Sequence, residues 1–181
     1  MARGVRAVAV KITRRGNGNA SAVIKSIGKR LTARHVAVGF LDTAKYPAAR
    51  TRGTPPNRRT VQVPVIPVAQ VAFWNNFGTR RSPPRPFFGN MIAKHSPRWG
   101  EALGRILEAN GYDEDNALGL MGQLMQGQLQ QEIIDTNTPP NAPYTVRMKG
   151  GASKVLVDSG VMLQSVSPDK QAYEVREGVS D

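Results

Sequence analysis

Cysteine is absent from the chain, and histidine occurs only twice, at His35 and His95. Without thiols there is no disulfide framework, no thiolate metal site and no cysteine nucleophile, and two imidazoles leave little from which to build a histidine-ligated metal centre. A metal would need carboxylates, and neither a metal nor any other cofactor is expected. Long apolar runs are also missing, with no stretch near the roughly 20 residues required to cross a bilayer. The opening MARGVRAVAVKITRR holds only a broken apolar patch between arginines, too short for a signal peptide, so synthesis in the cytoplasm and no membrane partner are expected. Aromatic residues make up 6% of the chain, and the first 60 residues contain only Phe40 and Tyr46. That third therefore offers no stacking platform for single-stranded nucleic acid, and no zinc-finger or RNA-recognition signature is present.

Acidic residues are nearly missing from the same third. Residues 1–60 carry fourteen Lys/Arg against Asp42 alone, whereas residues 111–181 carry five Lys/Arg against ten acids, within a net charge of +12. Two readings fit such asymmetry. One is a basic arm that reaches toward nucleic acid, and the other is a subunit whose basic face docks on the acidic face of its neighbour.

The 181 residues, 40% of them apolar, predict a single domain over 1–181 with a core of ordinary size. VRAVAVKI (5–12) alternates as a half-buried strand does, SAVIKSIGKRLTARH (21–35) has the spacing of an amphipathic helix capped by Ser21, and 36–41 reads as a second strand. Over 42–60 the chain has three prolines, one aromatic and no large aliphatic residue, which predicts a flexible basic loop. VQVPVIPV (61–68) is extended by its prolines, and the helix that follows should end at Gly78. A helix over 87–111 should break near Pro97 and stop at Gly111.

Acidic residues at 113–115 favour the start of a helix over about 114–135, whose stripe of Leu118, Met121, Met125, Leu129 and Ile133 is expected in the core. Its other face carries Gln123, Gln126, Gln130 and Gln131, either a solvent face or the lining of a channel through which DNA slides. In KVLVDSGVMLQSV (154–166), Asp158 and Ser159 precede an apolar helical run and read as its cap. Ser159 lacks the Gly-x-Ser-x-Gly elbow and a base, so no catalytic residue is assigned and an enzyme is not expected. AYEVRE (172–177) reads as a closing strand.

Three segments together resemble the tail-completion or neck proteins of long-tailed bacteriophages, which are related to the virion-morphogenesis proteins of Mu-like phages. The first is Val71-Ala72-Phe73-Trp74-Asn75-Asn76-Phe77-Gly78, followed by Pro84-Arg85-Pro86-Phe87-Phe88. Next come Pro139-Pro140-Asn141-Ala142-Pro143 and Lys149, then Val155-Leu156-Val157-Asp158-Ser159-Gly160 and Leu163-Gln164-Ser165-Val166. The likeness spans roughly 61–177 and departs from the family phrase at Asn76, where a glutamate is usual. It has no counterpart for the basic segment 42–60.

The resemblance implies an α+β fold, a small mostly antiparallel sheet packed with several helices and long Pro/Arg-rich loops. It implies a structural virion protein of the head-tail junction, made in the host cytoplasm, that forms a homo-oligomeric ring, often hexameric at the tail side and twelvefold nearer the portal. Neighbouring connector, stopper, terminator or tail-tube proteins and packaged DNA would be its partners. A tail terminator or head-side stopper of the same junction, or a basic nucleic-acid-binding module, are the alternatives. Expected contact residues are Arg80, Arg81, Arg85 and Phe87 in the loop between two helices, unless Phe87 and Phe88 simply begin the next helix core. Arg50, Arg52, Arg58 and Arg59 are expected to meet an acidic neighbour or DNA phosphates.

Overall fold

The computed structural model describes residues 19–32, 35–40, 43–52, 56–149, 154–157 and 160–168. Along the chain these form α1 (Asn19–Thr32), β1 (Val38–Phe40), β2 (Ala49–Arg52), β3 (Arg59–Gln62), α2 (Val68–Phe77) and α3 (Phe87–His95). After a 3-10 turn at Ser96–Arg98 come α4 (Trp99–Ala109), α5 (Glu114–Asp135), α6 (Pro143–Met148), α7 (Val161–Gln164) and β4 (Val166–Pro168). The fold is α+β, with two small antiparallel sheets, β1 with β4 and β2 with β3. The expected strands at 5–12 and 172–177, and the cap at Asp158 and Ser159, lie outside the described residues.

Helix α5 is the axis of the molecule. Its 22 residues give it a length of about 33 Å at 1.5 Å per residue. The Asp113 side chain accepts a hydrogen bond from the Asn116 N–H at 3.1 Å, and Glu114 and Asp115 place negative charge against the positive end of the helix dipole. Leu118, Met121, Met125, Leu129 and Ile133 are all buried, as the stripe predicts. At the far end the Thr136 hydroxyl donates to the Glu132 carbonyl at 2.7 Å.

Pro97 sits in the 3-10 turn that separates α3 from α4, since a proline cannot donate the N–H that a continuous helix needs. Gly111 and Tyr112, both with positive φ (63° and 64°), then reverse the chain into α5. The Asn110 side chain holds this corner, donating to the Ile106 carbonyl and accepting from the Asn116 amide, each at 2.8 Å.

The main core gathers Val68 and Ala72 of α2, Phe87 and Met91 of α3, Leu129 and Ile133 of α5, and Met162 and Val166 from the C-terminal part of the described chain. Strand β1 pairs with β4 so that Phe40 stands opposite Val166. The Phe40 ring meets Phe87 edge-on, with centroids 6.3 Å apart. Val166 belongs to β4 rather than to a helix, because α7 stops after four residues.

The segment expected to be a flexible loop over 42–60 instead carries β2 and the first two residues of β3. Ala49, Arg50, Thr51 and Arg52 pair with Gln62, Val61, Thr60 and Arg59 in order. Buried Tyr46 donates its N–H to the Ile66 carbonyl at 2.9 Å, and the Val68 N–H bonds to the Ala44 carbonyl at 2.9 Å. Composition misses this because the segment has few apolar groups of its own. Pairing with the proline-braced stretch before α2 satisfies its main chain, and one aromatic ring supplies its anchor.

Replacing Asp113 by alanine removes the α5 cap. The expected loss is about 1 kcal/mol, seen as a fall of about 2–4 °C in the melting temperature followed by circular dichroism.

Candidate functional site

The loop between α2 and α3 turns some of its side chains outward and others inward. Gly78 leaves α2 with φ 80° and ψ 175°, and a Cβ there would lie 2.8 Å from the Pro84 nitrogen, so only glycine lets the two arms of the loop close. Thr79 and Ser82 exchange main-chain hydrogen bonds (2.8 and 3.3 Å), and the Thr79 hydroxyl accepts from the N–H groups of Arg81 and Ser82. That turn presents Arg80 and Arg81 to solvent.

Arg85 and Phe87 point the other way, and both are corrections to the expected contact set. Phe87 is 1% exposed and sits in the core at the start of α3, where its ring is surrounded by apolar neighbours. Arg85 is 6% exposed; its Nε donates to the Pro139 carbonyl at 2.9 Å and a terminal nitrogen donates to the Pro140 carbonyl at 3.3 Å. Its own N–H donates to the Asn75 carbonyl at 2.8 Å, and its carbonyl accepts from the Phe87 N–H at 2.7 Å. Burial lowers the guanidinium pKa by desolvation, but arginine stays protonated in proteins.

Asn75 and Arg85 form one wall of a cleft of about 530 Å³. The extended stretch at Val63–Ile66 and buried Tyr46 make a second wall, and Asn141, Lys149 and Val155 close the far side. The Lys149 Nζ donates to the carbonyls of Lys154 and Val155 at 3.1 and 3.0 Å, and the Asn141 amide reaches the Lys154 carbonyl at 3.4 Å. The cleft thus assembles cations and amides around main-chain carbonyls, which is the chemistry of a structural clamp. Next to it, the Asn76 side chain accepts from the Phe88 N–H at 3.1 Å and so caps α3 from outside that helix.

A second, apolar concavity, also about 530 Å³, lies on the other side of the α2–α3 pair, lined by Phe40, Phe73, Phe77, Pro86, Phe88 and Ile92. The rings of Phe73 and Phe77 meet at a 47° tilt with centroids 4.7 Å apart and are 59% and 66% exposed. Sequence reasoning passed over this face. Its signal is that α2 has no charged residue in ten, so after Val68 and Ala72 enter the core the outward residues are also apolar.

The glutamines of α5 do not form one free face. The Gln126 amide donates to the Val166 carbonyl at 2.7 Å and the Gln130 amide to the Leu163 carbonyl at 3.1 Å, so both hold the α7–β4 segment and are corrected from channel lining to structural ties. Gln131 donates to Asp135 at 2.8 Å, and Gln123 is exposed. Arg58 and Arg59 are exposed, whereas of Arg50 and Arg52 the backbone pairing in β2 is what the structure describes. Among the described residues no cluster of three His, Cys, Asp or Glu is placed to hold a metal, and no helix is long and apolar enough to cross a membrane.

Compared with known protein families, curated proteins and solved structures, the chain finds no match.

Two substitutions check the clamp. Arg85→Leu strips the carbonyls of Pro139 and Pro140 of their donor and should cost about 2 kcal/mol, read by urea denaturation. Asn76→Glu keeps an acceptor at the α3 N-terminus and adds favourable charge there, so it should leave stability equal or higher, while Asn76→Leu lowers it by about 1 kcal/mol.

Proposed function

We propose that the chain is a structural virion protein of the phage head-tail junction, a neck subunit that forms a ring, completes the tail and joins it to the head, with DNA passing through the channel. The observation that carries this reading is convergence. The phrases that resemble the neck family are scattered over some ninety residues of sequence, yet they meet at one clamp: Asn75 with Arg85, Arg85 with Pro139 and Pro140, and Lys149 with Val155. Asn76, at the position of the family's glutamate, meets Phe88 of the Arg-Pro-Phe phrase. A set of phrases matched by chance has no reason to be physically joined.

The surfaces suit a head-to-tail ring, in which one face of each copy meets a different face of the next. The charge-free face of Phe73 and Phe77 continues directly into exposed Arg80 and Arg81, giving an apolar patch with a basic edge. On α5, exposed Leu120 and Leu124 lie in line with Asp113, giving an apolar patch with an acidic edge. The second copy docks with these two patches together, so that both apolar contact and charge match. A hexamer is favoured, with a dodecamer the counterpart nearer the portal.

The test is the mass of the purified chain by light scattering, alone and mixed with tail tubes or DNA-filled heads, with negative-stain imaging of the particles. A ring added to one end of either particle supports the neck reading, and the chosen end separates a tail-completion role from that of terminator or stopper. Inertness toward both particles overturns it. Phe73→Asp with Phe77→Asp should leave the circular dichroism spectrum intact, since both rings are exposed, and abolish the ring.

A further inference from the structure

The register of the β2–β3 ribbon arranges its basic residues in a way the sequence alone does not reveal. Arg52 stands directly opposite Arg59, and Arg50 opposite Val61. Residues two apart, and residues paired across an antiparallel ladder, share a face, so positions 50, 52, 59 and 61 form one face of the ribbon and 49, 51, 60 and 62 the other. Arg58, one residue before β3, falls by the same alternation on the other side. Like charges in directly opposed positions are destabilising, and nothing in the neighbouring sequence offsets them. Between Asp42 and Glu101 the chain has ten Lys/Arg and no Asp or Glu. Arg58 and Arg59 are exposed and enter no ion pair among the described residues.

We infer that one face of the β2–β3 ribbon is a binding site for the phosphate backbone of double-stranded DNA, engaged without sequence preference by Arg50, Arg52 and Arg59. Three features select this ligand. From Ala48 to Thr60 the ribbon has no aromatic residue, whereas the core of a protein interface is rich in aromatics and poor in charge. The same lack removes the stacking that single strands require, leaving duplex phosphates as the polyanion of best fit. Geometry agrees as well. A two-stranded ribbon fits the roughly 12 Å major groove.

The ring can close without this contact, so the inference stands independently of the neck reading. It adds to that reading a reason for duplex DNA to be held as it passes.

The experiment is fluorescence anisotropy of the full chain with a labelled duplex of arbitrary sequence, titrated between 50 and 200 mM salt. Three phosphate contacts predict that the triple variant R50Q/R52Q/R59Q loses about 2.7 from the slope of log affinity against log salt. The wild type then weakens about 40-fold more than the variant over that range. The all-lysine variant at the same three positions keeps the charge and should retain the wild-type slope, which separates lost binding from a lost hairpin. R80Q/R81Q should lose far less. Equal slopes for wild type and the triple glutamine variant, or no wild-type binding at 50 mM salt, overturn the proposal. So does equally tight binding of poly-glutamate that the glutamine variant loses, because it assigns the ribbon to an acidic protein. Light scattering of the same samples reports ring formation separately, so a failed ring and a failed DNA site give different results.

Discussion

A single buried guanidinium holds the two halves of the molecule together. Pro139 and Pro140 have no N–H groups with which to join a helix or a ladder, yet their carbonyls still need donors. Arg85 supplies two of its five N–H groups to them while its main chain bonds the end of α2 and the start of α3. Among the described residues no carboxylate shares this contact, and carbonyl dipoles compensate the desolvated charge, an arrangement that tolerates little displacement. From Pro140 the chain runs through α6 to Lys149, which fixes Lys154 and Val155 and so delivers β4 to the edge of β1. The path of the described residues beyond Pro140 therefore depends on a contact made in the loop between α2 and α3.

What could be read from the residues depended on whether local signals carried the information. Helix α5 is fully legible because the cap at Asp113, the acidic first turn and the apolar stripe all agree, and the break at Pro97 follows from the missing N–H. The glutamines and Phe87 were read differently because their roles are set by distant partners. Gln126 and Gln130 look like a solvent face until α7 stops after four residues and leaves carbonyls at 163 and 166 in need of donors. Phe87, in a loop-like Arg-Pro-Phe phrase, starts a helix whose first residue enters the core. The hairpin at 49–62 was hidden for the same reason, since its anchor is Tyr46 bonded to a segment twenty residues away.

The clamp and the exposed surfaces follow opposite rules. Within the clamp, charge is matched donor by donor to carbonyls and the backbone is held in place. Outside it, apolar and basic character are carried by separate elements: α2 has no charge in ten residues, and the β2–β3 ribbon has no aromatic. Surfaces so divided can respond to different partners, because apolar burial is insensitive to salt while phosphate contacts are not.

That division bears on how a chain of net charge +12 would associate with itself. Each copy added to a ring brings more like charge into a small volume, and self-repulsion of that kind opposes closure more strongly at low ionic strength. Matching the basic edge at Arg80 and Arg81 to an acidic edge on the next copy relieves part of it. The ribbon arginines remain, opposed across their own ladder at positions 52 and 59. A polyanion threading the ring removes that remainder, so on the proposed reading closure is easier on a DNA-filled end than in free solution, and the charge that hinders assembly elsewhere favours it where the ring belongs.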